Sequence, residues 1–149
     1  MPLYGSSGGG WYIPKSMRYG GSAVKSVRVA IGGAWRTVWA TFSATAQGGS
    51  FGRNNGNSNV PRTIATAVGV TALPVGGSGN YSYSWTITGS SGVTAVSLSN
   101  AGSQGATVNA TCSINTRGSV NVQCVVTDVG LGLSTVVSTS TSYNYYSTV

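Results

Sequence analysis

The sequence predicts an all-β protein, a β-sandwich preceded by an extended N-terminal arm and a β-hairpin. Three observations carry this reading. Residues 81–88 read Tyr-Ser-Tyr-Ser-Trp-Thr-Ile-Thr, which places Tyr81, Tyr83, Trp85 and Ile87 on one side of an extended strand and Ser82, Ser84, Thr86 and Thr88 on the other, because successive strand side chains point to opposite faces. Similar alternation returns at short intervals as far as residue 143, with turn residues between the runs, as in a sandwich. No stretch repeats its apolar residues at helical spacing.

Length and composition narrow the function. The 149 residues suit one domain with an appendage. Only 6% of the residues are charged, against roughly a quarter in an average soluble protein, so the exterior is polar and nearly uncharged. Glu and His are absent, and Asp128 is the one acidic side chain. The net charge of +7 therefore reflects missing acids more than a dense basic patch. Five of the eight basic residues, Lys15, Arg18, Lys25, Arg28 and Arg36, fall in the first 42 positions. An acidic partner surface is expected to meet that end of the chain. No apolar run reaches membrane-spanning length, and glycines stand where a signal peptide needs its apolar segment. Synthesis in a cytoplasm, without membrane insertion, is the expectation.

Residues 1–42 form the expected docking unit. Residues 1–22 carry glycines at 5, 8, 9, 10, 20 and 21 and no strand or helix period. Such a segment cannot bury enough of its own apolar surface to offset its ordering entropy. Tyr4, Trp11, Tyr12, Ile13, Met17 and Tyr19 are instead suited to anchoring on a neighbour, with Lys15 and Arg18 beside them. Val27, Val29 and Ile31 then alternate with Arg28 and Ala30, Gly32-Gly33 supplies a tight turn, and Trp35, Arg36, Val38 and Trp39 return on a second strand. A lone two-stranded ribbon is marginal in water and needs a surface to lie on.

The run VRVAIGGAWRTV resembles a short β-motif of bacteriophage tail and tail-tip proteins, an apolar strand followed by Gly-Gly-x-Trp-basic. That resemblance implies a virion component, made in a host bacterial cytoplasm and assembled with other virion structural proteins and with further copies of itself.

Residues 43–61 are rich in Gly, Asn and Ser, contain one large apolar side chain, Phe51, and end at Pro61. They read as a linker. The sandwich is expected over residues 62–149, with strands at Ile64 to Leu73, Tyr81 to Thr88, Val93 to Leu98, Ala106 to Ile114, Val120 to Val126 and Leu133 to Tyr143. A turn over Asn115-Thr116-Arg117-Gly118 separates the fourth from the fifth.

This module resembles bacterial and phage immunoglobulin-like domains of the polycystic-kidney-disease type. The matching segments are GGSGNYSYSW at 76–85 and VNVQCVVTDVGLG at 120–132. The resemblance implies a seven-stranded immunoglobulin-like sandwich serving as spacer or adhesion module, without catalytic residues. Trp85, Cys112, Val122 and Cys124 would belong to its core. Domains of that kind with an inter-sheet disulfide place the first cysteine on the strand before the tryptophan, and here that strand has none.

Candidate chemistry is sparse. Cys112 and Cys124 fall on the inward phase of their strands, which suits a disulfide across the core or two buried apolar thiols; a reducing compartment favours the thiols. A nucleophilic cysteine needs a base, and the chain has no histidine. Asp128 alone makes neither a metal site nor an acid/base pair and is expected to cap a turn or pair with an arginine. The run GSSGGG at 5–10 lacks the Gly-Lys-Ser/Thr of a phosphate loop. No catalytic, metal or cofactor-binding residue is assigned.

Nucleic acid is not an expected partner, because the basic and aromatic residues of the arm are too thinly spread. The expected function is structural: a non-enzymatic tailed-phage component docking through its N-terminal arm into the tail or tail-tip and displaying the sandwich. Two alternatives stand beside it. One is a capsid decoration protein. The other is a host-adhesion module binding surface carbohydrate through loop 76–80 or through Tyr143, Tyr145 and Tyr146, which the Ser/Thr/Asn-rich setting marks as exposed.

Overall fold

The computed structural model describes residues 6–7, 10–11, 18–19, 22–23, 26–55 and 61–147. Among them every regular element is a strand. Four two-residue bridges, β1 (Ser6–Ser7), β2 (Gly10–Trp11), β3 (Arg18–Tyr19) and β4 (Ser22–Ala23), pair as β1 with β2 and β3 with β4. The hairpin follows as β5 (Ser26–Ile31) and β6 (Ala34–Ala40). Its turn is the expected Gly32-Gly33, both with positive φ, 59° and 81°, the geometry that lets a two-residue loop match the twist of the strands it joins. A register shift between Val27 and Arg28 interrupts the ladder.

Eight strands build the sandwich: β7 (Phe42–Gly48), β8 (Ser50–Asn55), β9 (Thr63–Gly76), β10 (Tyr81–Ser91), β11 (Val93–Ser99), β12 (Gly105–Ser113), β13 (Thr116–Asp128) and β14 (Leu133–Ser147). One sheet has the order β11-β12-β9-β7 and is antiparallel throughout. The other has the order β10-β13-β14-β8, antiparallel except for the parallel pair β14 and β8.

The alternation read from the sequence sets the register. On β12, Ala106, Val108, Ala110 and Cys112 are buried; on β13, Val120, Val122, Cys124 and Val126 are. Val68, Val70 and Ala72 of β9 and Trp85 of β10 complete the core with Tyr143 and Tyr145. Each valine so placed contributes about 1.5–3 kcal/mol by leaving water, and each alanine less than about 1 kcal/mol. Trp85 is covered by the β11–β12 connection: its backbone N–H donates to the Ala101 carbonyl at 2.9 Å and its indole Nε1 to the Ser103 carbonyl at 3.0 Å.

Two expectations are corrected. Residues 43–61 are not a linker, because most of the stretch is sandwich: β7 pairs with β9, and β8 pairs with β14. The sandwich therefore begins at Phe42, not at residue 62. Phe42, Ala44 and Ala46 face inward while Ser43, Thr45 and Gln47 face out, a period of two written in side chains too small to stand out by eye. The switch between sheets occurs at Gly49, whose N–H donates to the Gly69 carbonyl of one sheet at 3.0 Å and whose carbonyl accepts from Ser142 of the other at 3.3 Å. At Gly48 the chain runs so close to β14 that a Cβ would overlap the Ser140 carbonyl oxygen, so only glycine fits.

The second correction concerns the C-terminal tyrosines. Strand β14 runs on to Ser147, and its inward phase carries Tyr143 and Tyr145 into the core. The parallel neighbour β8 extends the sheet over residues that would otherwise be a tail, and only Tyr146 stays on the outer phase. The hydroxyl of Tyr145 donates to the Pro61 carbonyl at 2.6 Å, pinning the approach to β9.

Candidate functional site

The predicted docking residues divide by what is described. Tyr4, Tyr12, Ile13, Lys15 and Met17 lie outside the described residues. Trp11, Arg18 and Tyr19 are described as backbone within the short bridges, and their side chains lie outside. Arg28 is exposed on β5, opposite Thr37. Trp35, Arg36 and Trp39 occupy β6, in register with Ala30, Val29 and Val27; their side chains are likewise outside the description. One ribbon thus brings Arg28, Trp35, Arg36 and Trp39 together, as expected from the hairpin signal.

Among the described residues that ribbon hydrogen-bonds as a two-stranded sheet of its own and joins neither sandwich sheet. Val29 is 40% exposed on it, although it lies in the apolar phase of its strand. The junction to the sandwich is Thr41, whose carbonyl accepts the Gly77 N–H at 2.7 Å.

Below this junction the end of the sandwich is organised by Asp128. Its carboxylate accepts from the Ser78 N–H at 2.5 Å, from the Ser78 hydroxyl and from the Leu131 N–H at 3.0 Å. Its backbone carbonyl accepts the Gly132 N–H at 2.8 Å. The residue is completely buried, and the three donors to its side chain satisfy it there. The turn-capping expectation is met, with a reach the sequence did not reveal: the carboxylate ties its own turn to the β9–β10 turn, whose Ser78 lies 50 residues away. Gly77 adopts φ 71° there, and a Cβ on it would collide with the carboxylate.

Cys112 and Cys124 are free thiols, both buried, on strands of opposite sheets. Burial pushes both thiols up from their ordinary pKa, partly offset by hydrogen bonds from Thr66 and from the Ser84 backbone. A thiol held protonated is a poor nucleophile and metal ligand. Burial likewise raises the phenol of Tyr143, which sits between the Thr141 hydroxyl at 3.1 Å and the Val108 carbonyl at 3.5 Å. Among the described residues, no three of His, Cys, Asp or Glu gather closely enough to hold a metal ion.

A shallow depression of about 330 Å³ opens on the outer face of the first sheet, floored by Ala65, Ala67 and Ala95 and rimmed by Asn109 and Thr111. It arises where β11 bulges between Thr94 and Ser97 and Ala95 takes a φ of 49°. It carries no ionisable side chain. No family model matches the chain, and no curated protein or solved structure resembles it closely enough to count as a match.

Proposed function

We propose that the chain is a non-enzymatic structural component of a tailed-phage particle, docked through residues 1–41 into the tail or tail-tip, with the sandwich projecting. The observation that carries the proposal is the hairpin: a short two-stranded ribbon that, among the described residues, pairs with neither sandwich sheet, with Val29 exposed and two tryptophans in its sequence. A ribbon of this size does not hold its shape in water unaided, so a partner surface is the natural site for it. Association would bury apolar area at ~25 cal/mol per Å², and five cations in this part of the chain would steer it toward acidic surface.

The sandwich is, in this proposal, of the immunoglobulin type. The orders β11-β12-β9-β7 and β10-β13-β14-β8 correspond to the D-E-B-A and C-F-G sheets of that fold with one extra parallel strand, and Trp85 sits on the strand equivalent to C. A virion component of this design needs no ionisable site of its own, which suits a chain without Glu or His.

Deletion of residues 1–22 tests the docking. The truncated protein should melt at the wild-type temperature by circular dichroism yet be missing from purified particles. Incorporation at normal copy number would refute the proposal, and incorporation into heads without tails would point to capsid decoration instead.

A further inference from the structure

The outer face of the second sheet is mostly Ser, Thr, Asn and Gln, interrupted by the exposed pair Val125 and Val136, and near the C-terminal end of β14 it changes character. Of the aromatic rings whose side chains are described, seven belong to the core or pack against it; Tyr146 is the one on an outer phase. It is half-buried and held in place. Arg117 Nε donates to its hydroxyl at 2.5 Å, and the Ser147 N–H donates to Asn115 Oδ1 at 3.0 Å, fixing the strand end just beyond it. The guanidinium carbon stands 5.6 Å from the ring centroid. With the hydrogen bond made to the hydroxyl, the cation reaches the ring from its hydroxyl edge and does not cover its faces.

The neighbours of Tyr146 are planar and polar. Register aligns it with Asn54 of β8, and the next outer row is Arg117, Asn144 and Gly52. Gly52 leaves a notch, because a Cβ placed there would meet no heavy atom within 4 Å. Beside the notch, Asn144 Oδ1 is shielded from solvent and has no hydrogen-bond donor. A buried acceptor without a donor costs folding free energy and calls for an explanation.

We propose that Tyr146, Asn144, Arg117, Asn54 and the Gly52 notch form a binding site for a neutral saccharide. A pyranose offers both things this cluster is missing: a flat C–H face to lie on an aromatic ring, and hydroxyl donors, one of which satisfies Asn144 Oδ1 once that side chain turns outward over the space at Gly52. The amide of Asn54 and the guanidinium of Arg117 then address neighbouring hydroxyls. A bare phosphate or carboxylate would fit worse, since it brings a second acceptor to an acceptor. The site is independent of the docking reading, because it uses no residue before Asn54 other than Gly52.

The test is a titration of the full chain with maltotriose, cellotriose and triacetylchitotriose, followed by amide chemical shifts. At least one should bind in the millimolar range, with shifts concentrated at Gly52, Asn54, Arg117, Asn144 and Tyr146. Tyr146→Ala and Gly52→Val should each weaken that binding by about tenfold or more, while Ser138→Ala, on the same face, should leave it unchanged. Gly52→Val fills exposed space on a strand and serves where the tyrosine variant loses its fold. The proposal is overturned if none of the three sugars shifts these resonances, or if Gly52→Val binds as wild type does.

Discussion

Replacing Asp128 by alanine should cost the sandwich more than any other single polar change among the described residues. The carboxylate is fully buried and receives the Ser78 N–H, the Ser78 hydroxyl and the Leu131 N–H. Alanine strips all three of their acceptor. Each buried donor left unpaired costs about 1–3 kcal/mol. Ser78 and Leu131 sit in turns that water can reach in part, so a total near 3 kcal/mol is expected, at the lower end of the sum. For a domain of this size that corresponds to a fall in Tm of roughly 12–24 °C. Asp128→Asn keeps the shape and one carbonyl acceptor but turns an N–H₂ toward a donor, and should lie between alanine and wild type. Thermal melts followed by far-ultraviolet circular dichroism measure this directly. If Asp128→Ala melts within about 2 °C of wild type, the reasoning that this carboxylate joins the two turns is wrong.

Two further outcomes are expected. Gly48→Ala should lower the urea midpoint by an amount equivalent to about 3 kcal/mol or prevent folding, since its Cβ meets the Ser140 carbonyl and neither backbone can retreat without losing a ladder; Gly52→Ala, with open space above it, should be nearly silent and serves as the control. Stability should also fall in alkali. The folded state keeps Cys112 and Cys124 protonated because burial raises them, whereas the unfolded chain releases those protons above about pH 8.5, so the unfolded state binds fewer protons and gains on the native one as pH rises. The slope approaches ~1.4 kcal/mol per pH unit for each thiol. Urea midpoints at pH 7 and 10 should therefore differ in wild type and differ by much less in the Cys112→Ala, Cys124→Ala double variant, where the buried phenol of Tyr143 and the half-buried one of Tyr83, also raised, leave a smaller alkaline slope; equal pH dependence in both would contradict the assignment.

How much of this was legible in the sequence depended on side-chain size and on range. Strands β10 and β13 announced themselves because their inward residues are mostly large or β-branched and their outward ones mostly polar, and β12 because Val108 and Cys112 alternate with Thr107, Asn109, Thr111 and Ser113. The Gly32-Gly33 turn was equally plain, since a two-residue loop of that kind demands positive φ. Strand β7 uses Phe42, Ala44 and Ala46, and alanine carries too little contrast to reveal a period. Strand β8 is parallel to a partner some ninety residues downstream, a pairing that leaves no local mark, and its burial of Tyr143 and Tyr145 was hidden for the same reason. The capping role of Asp128 followed from its being the lone acid at a strand end. Its link to Ser78, the contact of Tyr145 with Pro61 and the setting of Tyr146 are all long-range and could be seen only in three dimensions.

The parallel pairing of β8 with β14 fixes where tension would enter. The chain comes into the sandwich at Phe42, beside the Asp128 turns, and leaves at Ser147, at the opposite pole of a strand 15 residues long, a span of about 50 Å. A subunit gripped by its leading segment would hold its far pole, and Tyr146 with it, outward by that distance. Pulling on the two ends would drag the β8–β14 ladder along its length, so that its hydrogen bonds would have to shear together instead of opening one after another like a zip.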